Sequence, residues 1–497
     1  MAQRYDDIVV GSGISGLTMA LLLARAGRRI LLLEKAGHIG GSMARFYRGG
    51  IPFDVGFHFT GGLQAGGILH DILSVLGIRE RIRPVFLSGE RSASFIFEDE
   101  GRAYDHPTGI AKIRKQFKQD FPGDASAVDR YFDMVESVCS RTPSLNLHSN
   151  VVAPPLLDED FISLDDVLRG LTDNQKLRGL LSGYCMLYGV MPKEISFANH
   201  SRMCLSFYES IACLEKGGDS FVEAFTGAFE GLAVEVRCRT SIAELADIRE
   251  DKANRFVLST GEEVEAENCI FTIHPQEIVK LLPREQMSRA FVSRVASFEP
   301  SVGFFSVFAA LEDGAVGPAA GEAIISLFPT SDVNELLDPS YRGDPALVLI
   351  KAVDSTGGVQ GVQILAPSFA GHVAQWQDSR TGRRSKEYYA YKEQQTRRMM
   401  ERVNKELPSY SGRLRVIDSA SVLTFRDYLN SPDGSAYGVK QKIGQYNVVG
   451  KLPLRNCYAA GQSAVLPGVI GSMMSSLLVG RSVLGKDRYG VFVDKGS

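Results

Sequence analysis

The segment Tyr5–Glu34 constrains this chain more than any other. Tyr5–Val10 reads as a short buried strand that runs into Gly11-Ser12-Gly13-Ile14-Ser15-Gly16. Leu17–Ala26 follows as a run of strong helix formers stopped by Gly27. Arg28–Leu33 reads as a second strand, ending on Glu34. Strand, glycine turn, helix, strand and terminal acid make a βαβ unit with the GxGxxG pattern of dinucleotide sites.

Each part has a physical task. Gly11 permits the tight turn out of the strand, Gly13 lets backbone approach a pyrophosphate, and Gly16 lets the helix pack on the sheet. Free amides at the helix start, around Ile14 and Ser15, present partial positive charge to phosphates. Glu34 is expected to accept hydrogen bonds from both ribose hydroxyls of an adenosine and to repel a 2′-phosphate, and Lys35 belongs to the same turn. No second GxGxxG exists in the chain, so a built-in NAD(P)H site beside the first is not expected. The electron donor or acceptor is then an external partner.

The rest of the composition narrows the class. With 497 residues, and roughly 100–200 per domain, two or three domains are expected. A net charge of −3 gives no basic field for nucleic acid. Seven cysteines without a CxxC pair argue against a disulfide framework and fit a reducing compartment. Eight dispersed histidines, none at HxxxH spacing, offer no metal site. No targeting segment is visible, and a cytoplasmic location, with peripheral membrane contact as an option, is the expectation. Asn456–Gly480 carries no charge. A spanning helix needs about 20 mostly apolar residues, and Gly461, Pro467, Gly468 and Gly471 interrupt this run, so a buried segment against a ligand is expected instead.

Further stretches carry a resemblance. Glu34, then Gly40-Gly41, resembles the extended dinucleotide motif of the flavin amine oxidase and phytoene desaturase superfamily. An Arg often follows the second glycine there; here it is Ser42, which leaves any phosphate contact to Ser42 or Arg45. Phe53-Asp54-Val55-Gly56-Phe57-His58 resembles the FDxGxH stretch of the all-trans-retinol 13,14-reductase and carotenoid isomerase branch. Glu215–Ser220 with its following helix, Thr240-Ser241-Ile242, and Thr272–Pro275 resemble that superfamily's return into the cofactor domain. Gly434–Gly438 resembles a desaturase segment, and Asn456–Gln462 with Pro467–Ser472 resembles the C-terminal flavin segment.

The resemblance implies FAD. It places Gly40, Gly41, Ser42, Gly56, Ile242, Gly461, Gln462, Gly468, Val469 and Ile470 along the cofactor. His58 would lie near the isoalloxazine, with a core histidine as the plainer reading, and Tyr437 would be a pocket hydroxyl or a core tyrosine. The implied fold is α/β, with a discontinuous Rossmann-type FAD-binding domain (1–85, 212–275, 452–497). A substrate domain of antiparallel sheet plus helices takes 86–211 and 276–451. The implied activity is hydride transfer between flavin N5 and a C–C or C=C bond of an apolar, polyisoprenoid-like substrate, by saturation, desaturation or isomerisation. A flavin amine oxidase and a non-catalytic GDP-dissociation-inhibitor-like prenyl binder are the alternatives.

Local patterns complete the reading. Ser94–Phe97 and Glu98–Gly101 read as a hairpin. Ser301–Leu311, Leu347–Ile350 and Val359–Leu365 alternate as strands of a second sheet, with Phe304, Phe305 and Phe308 each as suited to core as to a substrate tunnel. Glu262–Thr272 reads as a strand pair. Lys112, Arg114, Lys115 and Lys118 read as a solvated face, with an anionic-lipid surface as the sharper option. The helix Lys386–Leu407 reads as solvated and supported by i,i+4 ion pairs.

Overall fold

The computed structural model describes residues 3–142, 147, 156–312, 324–353 and 359–496. Gly357-Gly358, expected between two strands, lie outside the described residues.

Five parallel strands form the heart of the first sheet: β1 (Gln3–Val10), β2 (Ile30–Leu33), β3 (Val234–Arg237), β4 (Glu263–Phe271) and β5 (Cys457–Ala459). Their spatial order is β3–β2–β1–β4–β5. β1 is central, in register with β2 from Asp7↔Ile30 to Val10↔Leu33 and with β4 from Gln3↔Val264 to Val10↔Phe271. Helices cover such a sheet on both faces, which is why Ile8, Val9 and Ile30–Leu33 are almost wholly buried. Asp7 is buried in the middle of β1; the Arg28 guanidinium and the Asn268 carboxamide (2.8 Å) satisfy it.

The return segment differs from the sequence expectation. Glu263–Phe271 is one strand, not a pair. The hairpin partnering its start is Ile242–Arg249 with Lys252–Leu258. The polar, exposed alternation of that hairpin hid it from a reading based on apolar runs.

Helix α1 (Ile14–Arg25) is buried from Ile14 to Ala24, as a helix apolar on all sides must be. It lies between the sheet and α4 (Gly468–Leu484). The two helices cross closely: a methyl group on Gly480 would overlap the Leu22 side chain.

A second, seven-stranded sheet runs in the order Leu414–Ala420, Gly303–Leu311, Val359–Ser368, Leu347–Val353, Ile324–Phe328, Ala93–Phe97, Arg102–His106. All neighbours are antiparallel except Ile324–Phe328 with Ala93–Phe97. Its two faces follow the period of two. Phe305, Val307, Leu347, Leu349 and Ile364 pack on Met399 and Val403 of the helix Lys386–Glu406. Phe304, Val348, Ile350 and Leu365 face the other way, toward α2 (Ala125–Ser140) and α3 (Phe197–Glu209).

The helix Lys386–Glu406 is tied down by tertiary ion pairs rather than i,i+4 pairs. Lys392 meets Asp418, Arg398 meets Asp344 (2.6 Å), and the buried Arg402 meets Glu98 and the Pro345 carbonyl. The guanidinium at 402 sits where a long side chain can reach over the sheet edge, so this face is not simply solvated. On the helix Ile110–Asp120, Lys112 pairs with Glu90, Arg114 with Asp133 and Glu136, and Lys118 with Asp129. These charges are spent on neighbouring carboxylates. Among the described residues no helix is long and apolar enough to cross a membrane.

Candidate functional site

The carboxyl ends of β2, β1, β4 and β5 open onto one crevice, where ligands of parallel α/β sheets bind. The turn after β1 is built as its glycines require. Gly11 has φ +96°, and a side chain there would meet Thr272 Oγ1 at 2.9 Å. Thr272 Oγ1 donates to the Val10 carbonyl (2.9 Å), which locks β4 to the turn. A methyl on Gly16 would overlap the Gly11 carbonyl, whereas a methyl on Gly13 would meet nothing within 4 Å. Gly13 therefore borders open space and Gly16 does not.

Glu34 ends β2 at the same edge. Its Oε2 accepts from the Ser12 amide (3.0 Å) and Ser12 Oγ (2.6 Å), and its Oε1 accepts from the Ala36 amide (2.7 Å). A carboxylate has about four acceptor positions. One remains for a ligand hydroxyl, where the sequence reading had assigned two.

The Gly40-Gly41 turn closes over this loop. Gly40 donates its amide to the Ser12 carbonyl (3.0 Å), and a side chain on Gly41 would come within 3.3 Å of Gly13 Cα. From the other end, the Gly461 amide donates to Ser475 Oγ (2.8 Å), and Ser15 and Ser476 hydroxyls share a 2.6 Å hydrogen bond. The serines of α4 thus serve protein packing, as does Gly471 against the Leu466 backbone. The N-terminal turn of α4, Gly468, Val469 and Ile470, points its unpaired amides at the crevice.

A single cavity of about 500 Å³ links these parts. At its polar end stand Gly11, Gly13, Ile14, Ser15, Glu34, Lys35, Gly41, Ser42 and Ile242. Gly56, His58, Tyr437, Gly461, Gln462, Gly468, Val469 and Ile470 also line it. Two expected ligand residues do not reach it. Gly16 is spent on the Gly11 contact, and Gly40, with φ +110°, lies against Val222. Arg45 is absent from the lining as well. Its Nε donates to Asp54 Oδ1 at 2.7 Å across the hairpin Arg45–Arg48/Ile51–Asp54, so of the two expected phosphate contacts only Ser42 faces the cavity.

The far half of the cavity is apolar. Met186, Leu187, Met203, Phe207, Phe304, Val348, Ile350, Leu365 and Phe425 wall it. Of the three phenylalanines of Gly303–Leu311, only Phe304 reaches it. Phe305 turns to Tyr391 and Phe308 lies under Phe46 and Phe53. Sequence reading missed Tyr184–Tyr188 and α3 entirely, since they carry no motif and enter the wall only by packing.

Polar side chains line the cavity as well, among them Arg202, Tyr188, Tyr437 and His58. Tyr437 stands edge-on to Phe304 (6.1 Å), and burial raises its phenol pKa. Its hydroxyl makes no hydrogen bond among the described residues. The His58 imidazole is pushed down to about 4 by burial and then by the Arg45 charge, so it is neutral near pH 7. Asp54, beside it, is raised by burial, while the Arg45 guanidinium and the Gly218 amide pull it back down.

Comparison with known proteins adds to this geometry. The NAD(P)-binding Rossmann-like domain family matches residues 9–73. An all-trans-retinol 13,14-reductase of Danio rerio is 28% identical over 538 residues, covering 98% of this chain and 87% of the relative. A chloroplastic prolycopene isomerase of Daucus carota is 21% identical over 468 residues, covering 88% of this chain and 72% of the relative. Among solved structures, a putrescine oxidase bound to putrescine superposes with a TM-score of 0.65 at 14% identity, covering 97% of this chain and 98% of that one. Fold and site together define a Rossmann-type, dinucleotide-binding oxidoreductase. Over most of its length the chain resembles the all-trans-retinol 13,14-reductases and prolycopene isomerases.

Proposed function

We propose that this protein is an FAD-dependent oxidoreductase that reduces a C=C bond of a retinoid- or carotenoid-like polyisoprenoid. One observation carries the reading: a single cavity passes from a dinucleotide cradle into an apolar chamber. The residues at the cradle suit FAD. Open space at Gly13 admits a pyrophosphate, the free acceptor of Glu34 suits a ribose, and the amides of Gly468–Ile470 suit the electron-rich edge of a flavin. Segments 1–85, 212–275 and 452–497 would hold the cofactor, and 86–211 with 276–451 would hold the substrate.

When bound, FAD supplies two-electron hydride chemistry. The chain does the rest. Met203, Phe207, Phe304, Val348 and Leu365 bind the apolar chain and exclude water, which strengthens every polar contact inside. Tyr437 offers an O–H at the chamber wall and would serve as the proton donor to a substrate carbon. His58 stands at the junction of cradle and chamber. Reducing equivalents come from an external donor.

The test is direct. Purified protein should carry the visible absorption of flavin, bleached by dithionite. The reduced protein, mixed anaerobically with all-trans-retinol or prolycopene, should regain that absorption as a dihydro product appears by mass spectrometry. Colourless protein, or reoxidation by amines and not by polyenes, would overturn the proposal.

A further inference from the structure

His58 presents only one ring nitrogen to the cavity, and the other reports how the ring is set. Its Nδ1 is buried without a hydrogen-bond partner. Asp54 Oδ2 lies 4.0 Å from it, and the Arg45 charge beyond also acts on the ring. That distance is too long for a hydrogen bond, but it is close enough for the carboxylate field to act in a buried site. His58 lines the cavity, and its Nε2 makes no hydrogen bond among the described residues.

Asp54 is itself held firmly. Arg45 Nε donates to Oδ1 at 2.7 Å, and the Gly218 amide donates to the same carboxylate. The loop Gly217-Gly218 clamps the pair: with φ +52°, Gly217 lies where any side chain would overlap both Asp54 Oδ1 and Arg45 Nε. Asp219 accepts the Arg45 backbone amide (3.1 Å) beside it. Two donors on one carboxylate favour its anion against the burial that raises its pKa. A protonated Asp54 would instead turn an O–H toward Nδ1.

A neutral imidazole carries its proton on either Nδ1 or Nε2. A carboxylate facing Nδ1 attracts an N–H there and repels a lone pair. Nε2 borders the cavity and can meet water or ligand in either role. The one interaction that discriminates between the tautomers therefore lies on the Nδ1 side.

We propose that Asp54, clamped by Arg45 and Gly217-Gly218, is a positioning residue that fixes His58 as the Nδ1–H tautomer. The ring then shows the cavity a bare Nε2, an acceptor for an N–H or O–H of whatever ligand lies there. His58 is thus a hydrogen-bond acceptor of the site, and Tyr437 offers the O–H donor. This goes beyond the proposed function and stands or falls without any substrate.

Nitrogen-15 NMR of histidine-labelled, full-length protein as purified tests it. Protonated and bare ring nitrogens resonate in separate ranges, and Nδ1 and Nε2 differ in their couplings to the ring hydrogens. The signals lost in His58→Gln assign the residue. The expected pattern is a protonated Nδ1 and a bare Nε2; the reverse pattern, or an average of the two, overturns the proposal. A second variant, Arg45→Met with Asp54→Leu, replaces the buried pair by apolar groups of similar bulk, a change that folded proteins commonly tolerate. It should remove the bias toward Nδ1–H, so that the two nitrogen signals move toward each other. Retention of the wild-type pattern in this variant would remove Asp54 from its role.

Discussion

Two glycines a few residues apart make opposite demands, and substitution separates them. Gly16→Ala drives a methyl into the Gly11 carbonyl, and neither backbone can yield. It should cost about 3 kcal/mol, at the upper end for overpacking, read as a lowered denaturation midpoint. Gly13→Glu enters open space, so the fold should melt within a few degrees of wild type while bound flavin is lost. Equal flavin content in Gly13→Glu and wild type would contradict the cradle. Tyr437→Phe should keep both fold and flavin. It should slow retinoid reduction by about 10²–10⁴-fold, the usual worth of a placed proton donor, measured by single-turnover reoxidation. The glycines were legible in the sequence because their demands are local: a turn, a close approach, a helix contact. Arg45 was not. Only the pairing of its strand with Ile51–Asp54 shows that its guanidinium is committed to Asp54 and turned from the cavity.

At the scale of elements, α2 and α3 meet through a buried polar chain that no motif announces. His200 Nε2 lies 2.7 Å from Tyr131 Oη, its Nδ1 lies 2.6 Å from Tyr188 Oη, and Tyr131 Oη is 2.8 Å from Tyr208 Oη. A neutral imidazole gives one donor and one acceptor, which matches its two phenol partners. His200→Phe would take one partner from each of two buried hydroxyls, which keep Tyr208 and Cys185 respectively, and should cost about 1–2 kcal/mol in urea unfolding. The same ring makes the fold sensitive to acid. Burial lowers His200 to about 3, and it lowers His58 and His106 to about 4. In the unfolded chain each titrates near 6.5. Between these values the unfolded chain binds protons that the folded one refuses, so stability is intact above about pH 6.5 and falls as pH drops toward 4. Each ring contributes a slope of about 1.4 kcal/mol per pH unit in that window. Urea midpoints at pH 7.5 and 5 should therefore separate clearly. His200→Phe should reduce the slope by about 1.4 kcal/mol per pH unit, and an unchanged slope would mean that His200 titrates normally in the fold. The hairpin of Ser94–Phe97 with its turn Glu98–Gly101 was legible in the sequence, yet the partners Tyr131, His200 and Tyr208 are far apart in the chain, and their meeting is a product of packing alone.

For the whole molecule, the first sheet draws β1 from the amino end and β5 from the carboxyl end, so the cradle is complete only when the full chain has folded. The segments of that sheet were readable because each ends in a short motif. The apolar chamber was not, because its wall is assembled from α3, Tyr184–Tyr188 and one face of the second sheet, each contributing ordinary core residues. Period two did show which residues of Leu347–Ile350 share a face, but not that this face borders a cavity. The consequence is a separation that substitution can make visible. Val348 pairs with Leu365 across the sheet, and both line the chamber. Val348→Trp places an indole there, far along the wall from the turn at Gly13. It should leave flavin content and its dithionite bleaching unchanged while all-trans-retinol no longer reoxidises the reduced protein or quenches its fluorescence. Gly13→Glu should abolish flavin first. If Val348→Trp instead keeps wild-type retinol affinity, the substrate does not occupy this chamber, and the cavity serves the cofactor alone.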